Sequence, residues 1–230
     1  MSIFDADTDL PRLPAPDYPR HMAPSGPHAS VGDAAPAFTL PSVQAGTVEL
    51  AAYRGRRNVI VWFSRGFTCP FCLDYMDGIS EGYDSLLATE TEVIQVAPNL
   101  LESARAFFRQ VPAPYPFVCD PDKRLYAVYG LGDRGALEAG RSGLVSFSRA
   151  FARGDGATWV RGAWLDVVNR NFVQRLHHHA MTALEQGLFL VDKHGIIRHR
   201  VVVGPIDHVP RAAVLVDLVR THCAPEPLPA

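Results

Sequence analysis

The stretch NVIVWFSRGFTCPFC, residues 58–72, constrains the fold more than any other part of the chain. Val59 to Phe63 is an unbroken apolar run without the alternation of a half-exposed strand, so it predicts a strand covered on both faces. A sheet with two covered faces needs helices on both sides. A turn follows, and Pro70 suits the first turn of a helix, where its missing N–H costs no hydrogen bond. Cys69 and Cys72, spaced C-x-x-C, therefore fall where a buried strand meets a helix N-terminus. Unpaired N–H groups there carry partial positive charge that favours a thiolate.

The surrounding text agrees with such a sheet. Ala37–Leu40 and Thr47–Leu50 read as short strands around a turn at Gly46, and Glu92–Ala97 and Pro116–Cys119 as further strands. Leu100–Val111 and Asp122–Tyr129 read as helices between and after them. Gly187–Val191 and Ile196–Val203 form a hairpin with a longer turn, and Arg211–Arg220 a final helix. In the helix after the dithiol, Cys72, Tyr75 or Met76, Ile79, Tyr83 and Leu86 make one apolar stripe. Gly78 and Gly82 each cost about 1 kcal/mol there relative to Ala, which predicts a bend or close packing against backbone.

Strands alternating with helices give an α/β chain with a mixed central sheet flanked by helices. A helical insertion at about 133–186 precedes the C-terminal hairpin. Trp164, Val168, Phe172 and Leu176 form its stripe, and Trp159, Trp164 and Phe172 read as its core, with a substrate entrance or a dimer contact as the other uses. Residues 1–30 hold Pro11, Pro14, Pro16, Pro19, Pro24 and Pro27 and read as an extended or disordered arm. Residues 31–223 make the redox domain and 224–230 a flexible tail.

The net charge of −2 and the lack of a basic run give no footprint for nucleic acid. No apolar run reaches membrane-span length, and the start of the chain, with Asp5, Asp7 and Asp9, is unlike a secretory signal. The cytoplasm is the expected compartment, and a C-x-x-C pair there is catalytic or metal-binding rather than structural. A closed zinc site needs two ligands beyond the pair. His177, His178 and His179 are consecutive, point in different directions on a helix, and read as decoration of a helix C-terminus. Cys119 reads as a packed strand-end thiol, and Cys223, beyond the last helix, is the other thiol open to redox exchange, a role that Cys72 makes unnecessary.

Several stretches together resemble one family. Val31-Gly32-Asp33 with Pro36 and Phe38-Thr39-Leu40, then Leu50, Tyr53-Arg54-Gly55 and the strand Val59–Phe63, are similar to the opening of peroxiredoxins of the alkyl hydroperoxide reductase/thiol-specific antioxidant type. Asp120-Pro121-Asp122, Tyr129-Gly130, Gly187–Asp192 and Gly195–Arg198 resemble later landmarks of that family. The likeness covers about residues 31–130 and 187–204. Arg65-Gly66 with Cys69-Pro70-Phe71-Cys72 resembles a branch with an R-G-x-x-C-P-x-C signature. The resemblance implies a thioredoxin-like fold with the reactive cysteine at the first turn of a helix, and no bound cofactor. The departures are equally specific. Trp62 and Gly66 stand where the family has Pro and Thr or Ser, with a Thr displaced to Thr68. Gln186 replaces an Arg that helps hold thiolate and peroxide, and Gly187 stands where thioredoxins keep a cis-proline.

Only a thiolate attacks a peroxide oxygen or a disulfide sulfur. Cys69 is the expected nucleophile, because Cys72 sits one turn further into the helix. Cys72 is placed to condense with a Cys69 sulfenic acid into a disulfide. Arg65 is the nearest cation to lower the Cys69 pKa, Thr68 a hydrogen-bond donor to thiolate or peroxide, and Gln186 an uncharged contact for peroxide. The expected activity is a thiol-dependent peroxidase reset by a thioredoxin- or glutaredoxin-like reductant, in a possible homodimer. A thiol-disulfide oxidoreductase acting on protein disulfides and a non-catalytic metal-binding module are the alternatives.

Overall fold

The computed structural model describes residues 29–44, 46–110, 112–113, 115–152, 154, 156–168, 183–207 and 209–223. The proline-rich arm up to residue 28, Phe172, Leu176, the three histidines 177–179 and the tail 224–230 lie outside them. The strands are β1 (Thr39–Pro41), β2 (Thr47–Glu49), β3 (Asn58–Phe63), β4 (Thr91–Ala97), β5 (Phe117–Cys119), β6 (Gln186–Val191) and β7 (Ile197–Val203). The helices are α1 (Pro70–Glu81), α2 (Tyr83–Leu87), α3 (Leu101–Phe108), α4 (Arg124–Val128), α5 (Gly135–Ala152), α6 (Gly156–Val168) and α7 (Ala212–His222).

β1 and β2 form a small ribbon, and the other five strands a sheet in the order β5-β4-β3-β6-β7. β3 is central, parallel to β4 and antiparallel to β6. All six of its residues are buried, and its side chains alternate between two cores. Ile60 and Trp62 enter one with residues of α1, α3 and α7; Val59, Val61 and Phe63 enter the other with α4, residues 29–38 and the β6–β7 hairpin. Two cores on one strand explain why its sequence shows no polar period. Phe63 meets Tyr126, Tyr129 and Phe189, at centroid distances of 4.8–5.7 Å.

The bend expected after the dithiol is at Gly82, between α1 and α2. A Cβ at Gly82 would run into the Ala212 Cβ of α7, so this glycine lets the two elements close together. Gly78 has open space beside it and plays no such part. The insertion is helical, α5 packing on α1 and α6 on α3. Its Trp164 does not fill a core: it is 64% exposed, because the buried side of α6 runs through Leu165, whose carbonyl accepts from Ser103. Trp159 is placed in α6 by its backbone alone.

Candidate active site

Three strand ends meet at one edge of the sheet. β3 leaves at Phe63, opposite Gly187 of β6, and β7 ends with Val203 opposite Gln186. Ser64, Gln186 and the turn after Gly204 are thereby neighbours, although the sequence separates them widely. The helix that carries the dithiol starts in this corner.

The loop between β3 and α1 is braced from beneath by buried polar groups. Ser64 Oγ accepts from Gln95 Nε2 at 2.8 Å and from the Gly66 N–H at 3.1 Å. The Tyr126 hydroxyl donates to the Ser64 carbonyl and, at 3.0 Å, to the Val96 carbonyl. Burial pushes the Tyr126 phenol well above its ordinary pKa, so it remains a donor. Gly66 has φ +75°, and a Cβ on it would overlap the Asn99 side-chain amide. Position 66, where the resemblance calls for Thr or Ser, thus has room only for glycine.

Cys69 is the N-cap of α1, with extended backbone (φ −108°, ψ 116°), and Pro70 opens the helix. The sulfur of Cys69 sits against the first turn with only 3% of the residue exposed, and Cys72 is fully buried. Together with Phe71 and the partly buried Ile206 they form an apolar cluster of their own. The Cys69 thiol is lowered from 9.0 to about 6: the Cys72 thiol donates to it, burial opposes this, and the Arg65 charge and the Cys72 and Phe71 N–H groups assist. Burial, followed by the neighbouring Cys69, pushes Cys72 well above 9.0. Two thiols one turn apart are thus split into a thiolate and a thiol.

Gln186 lies on Cys72, its Oε1 3.5 Å from Sγ. Its Nε2 donates to the Pro205 and Asp207 carbonyls at 3.3 Å each. Arg65 Nη1 also donates to the Pro205 carbonyl, at 3.4 Å. The turn 204–207 is thereby tied to both sides of the dithiol, and it brings Ile206 over the sulfurs. Thr68 Oγ1 donates to the Arg65 carbonyl at 3.5 Å and closes the loop. All five residues singled out from sequence, Arg65, Thr68, Cys69, Cys72 and Gln186, come together here. The bracing residues Ser64, Gln95 and Tyr126, the neighbour Asn99 and the cover Ile206 were not singled out, because only the topology brings them to this corner.

All four cysteines are free thiols. Cys119 ends β5 and is buried, as its strand context suggests. Cys223 caps the C-terminus of α7, and burial, then the Asp192 charge, raises it to about 11. Asp192 follows β6 at its far end, so Cys223 lies about 16 Å of strand away from Gln186. It is outside the dithiol corner. Among the described residues no group of three or more His, Cys, Asp or Glu could hold a metal ion, and no helix is long and apolar enough to cross a membrane.

A mixed sheet with helices on both faces and a C-x-x-C pair at the N-cap of the helix after the central strand defines a thioredoxin-like fold. A sequence model of the AhpC/TSA family matches residues 31–200. The chain belongs to that family and is peroxiredoxin-like within the thioredoxin superfamily. A Mycobacterium tuberculosis relative that carries the name peroxiredoxin is 32% identical over 99 residues, which are 43% of this chain and 62% of that one. The chain thus spans less than two thirds of that relative's length. Among solved structures, peroxidoxin BcpB from Mycobacterium tuberculosis superposes with a TM-score of 0.57 at 13% identity, over 84% of this chain and 98% of its own. A thiol:disulfide interchange protein DsbE from Chlorobium tepidum superposes with a TM-score of 0.51 at 19% identity, over 84% and 97%. Both share the fold; at such identities the likeness extends no further.

Proposed function

We propose that the chain reduces small hydroperoxides through Cys69, with Cys72 resolving. The observation that carries this reading is the burial of a thiol held low in pKa: with only 3% of Cys69 exposed, the reduced site favours a small peroxide over a protein surface as its oxidant. The Cys69 thiolate attacks the outer peroxide oxygen, the O–O bond breaks, and the leaving alkoxide takes a proton and departs as an alcohol. Cys69 is left as a sulfenic acid. The Cys72 sulfur then attacks that of Cys69, the S–O bond breaks, and hydroxide leaves as water with the Cys72 proton. A thioredoxin- or glutaredoxin-like dithiol supplies the two electrons that reset the disulfide.

Arg65 holds the charge on Cys69 in this scheme. Thr68, whose bond to the Arg65 carbonyl is at the long limit for a hydrogen bond, turns its hydroxyl to the incoming peroxide. Gln186, expected beside the substrate, serves better as a positioning residue for the Cys72 thiol, because its polar atoms are already engaged there. The protein works in this reading in the cytoplasm, as a homodimer. The test is stopped-flow oxidation of the reduced protein by hydrogen peroxide and an organic hydroperoxide. Oxidation at Cys69 far faster than that of a free thiol is expected; a rate no faster overturns the reading. The second reading, exchange with protein disulfides, draws support from Gln186 standing in place of an Arg. It predicts slow peroxide oxidation together with rapid reduction of a protein disulfide such as that of insulin.

A further inference from the structure

The outward side of α5 is unlike an ordinary surface helix. Its inner side is buried through Ala139, Ser142 and Ser146 where it packs near α1. Its outer side carries Leu137, Leu144 and Phe151, each seven residues apart, with Phe147 between the last two. They are 91%, 69%, 56% and 49% exposed. The rings of Phe147 and Phe151 are already in contact, with centroids 4.6 Å apart. α6 touches α5 and carries exposed Val160, Trp164 and Val168 of its own. Exposed apolar residues scattered singly need no explanation, but a row of them along one helix does.

We infer that a second copy of this chain covers this face, the two α5 helices packing antiparallel across a two-fold axis at Leu144. With Gly140 and Phe147 between them, Leu137, Leu144 and Phe151 hold the 3.5-residue spacing by which one helix keeps a face toward another. This seam is symmetric about Leu144, so antiparallel pairing sets Leu137 against Phe151 and Leu144 against itself, as a self-complementary two-fold contact requires. Parallel pairing would instead align the helix dipoles and bring Arg141 near its own copy. Gly140 and Gly143 flank the axis with open space where a Cβ would stand, so the helices can approach closely. With about 150–250 Å² for each aromatic side chain, the open fractions amount to several hundred Å² per copy. That is of the order of the roughly 800 Å² per partner of a standard interface.

This inference rests on the homodimer of the preceding reading and is independent of which substrate Cys69 attacks. It is tested on the full-length reduced protein by light scattering after gel filtration, with circular dichroism to check folding. The native chain is expected at twice the one-chain mass, and the folded L144R variant at the one-chain mass. In a Cys223→Ser background, L144C is expected to form a disulfide with its own copy on oxidation. L137C and F151C are expected to link only to each other when mixed, with the links mapped by peptide mass. A native chain at the one-chain mass overturns the dimer and with it this contact. A native dimer that survives L144R and does not self-link through L144C overturns this contact alone.

Discussion

Gln186 Oε1 stands 3.5 Å from the Cys72 sulfur, tying the helix of the dithiol to the first residue of β6. The same amide holds the Pro205 and Asp207 carbonyls, so it fixes at once the Cys72 thiol and the turn that covers it. Gln186→Met keeps length and removes both bonds from Nε2 and the contact with Cys72. A buried polar group left without a partner costs about 1–3 kcal/mol, and a loss of that size in urea unfolding is expected. The oxidation of Cys69 by peroxide is expected to change little, whereas disulfide formation slows enough for dimedone to trap the sulfenic acid. Unchanged trapping would assign Gln186 a packing role only.

The opposite shifts of the two cysteines make a second prediction about pH. The Cys69 thiol is lowered to about 6, so its alkylation by iodoacetamide should rise through pH 6 and level off near neutrality, while Cys72 stays unreactive. Its folded pKa lies below the 9.0 of the unfolded chain, so the thiolate stabilises the fold. That contribution is fully present above 9.0 and is lost as pH falls through about 6. The largest cause is the Cys72 hydrogen bond and the Arg65 charge comes later, so Cys72→Ala should move the Cys69 profile upward further than Arg65→Met. Profiles in the reverse order would show that charge rather than the neighbouring thiol sets Cys69.

Cys223 supplies a third prediction, because the structure sets it apart from the dithiol. It sits at the end of β6 that carries Asp192, and burial leaves its thiol protonated at neutral pH. Cys223→Ser should leave peroxide turnover and the disulfide found by peptide mapping unchanged, whereas Cys72→Ser should leave Cys69 as a sulfenic acid. A Cys69–Cys223 link in the native protein would contradict this placement.

How much of this was legible in the sequence depends on how local the physics is. Val59–Phe63 announced a doubly covered strand because each of its residues must be apolar when both faces are buried, and β3 spans Asn58–Phe63. Cys69 and Pro70 marked the helix start through chemistry that acts within one turn. Ile206 and the Ser64–Gln95–Tyr126 brace were not legible, because they depend on which strand ends the topology places side by side. Trp164 was misread for a related reason. A helical stripe tells that one side of a helix is apolar, but not what covers it, and here α6 turns Trp164 outward.

Gly66 offers the last prediction and tests why the loop before the dithiol departs from the pattern of the resemblance. Its φ of +75° disfavours any residue with a Cβ, and the Asn99 side chain occupies the space where one would go. Strain in the left-handed region costs of the order of 1–3 kcal/mol, and the overlap with Asn99 adds to it. Gly66→Ala should therefore lower the midpoint of urea unfolding. It should also raise the Cys69 alkylation pKa, because the loop that carries Arg65 and the Cys69 N-cap must shift. The two causes separate in a double variant. Asn99→Gly empties the space, so adding it to Gly66→Ala should recover the part of the loss due to overlap and leave the part due to φ. Full recovery would show that the backbone angle carries no cost here. No recovery would show that Asn99 does not confine position 66, leaving the backbone angle as the reason this loop needs glycine where the resemblance expects threonine.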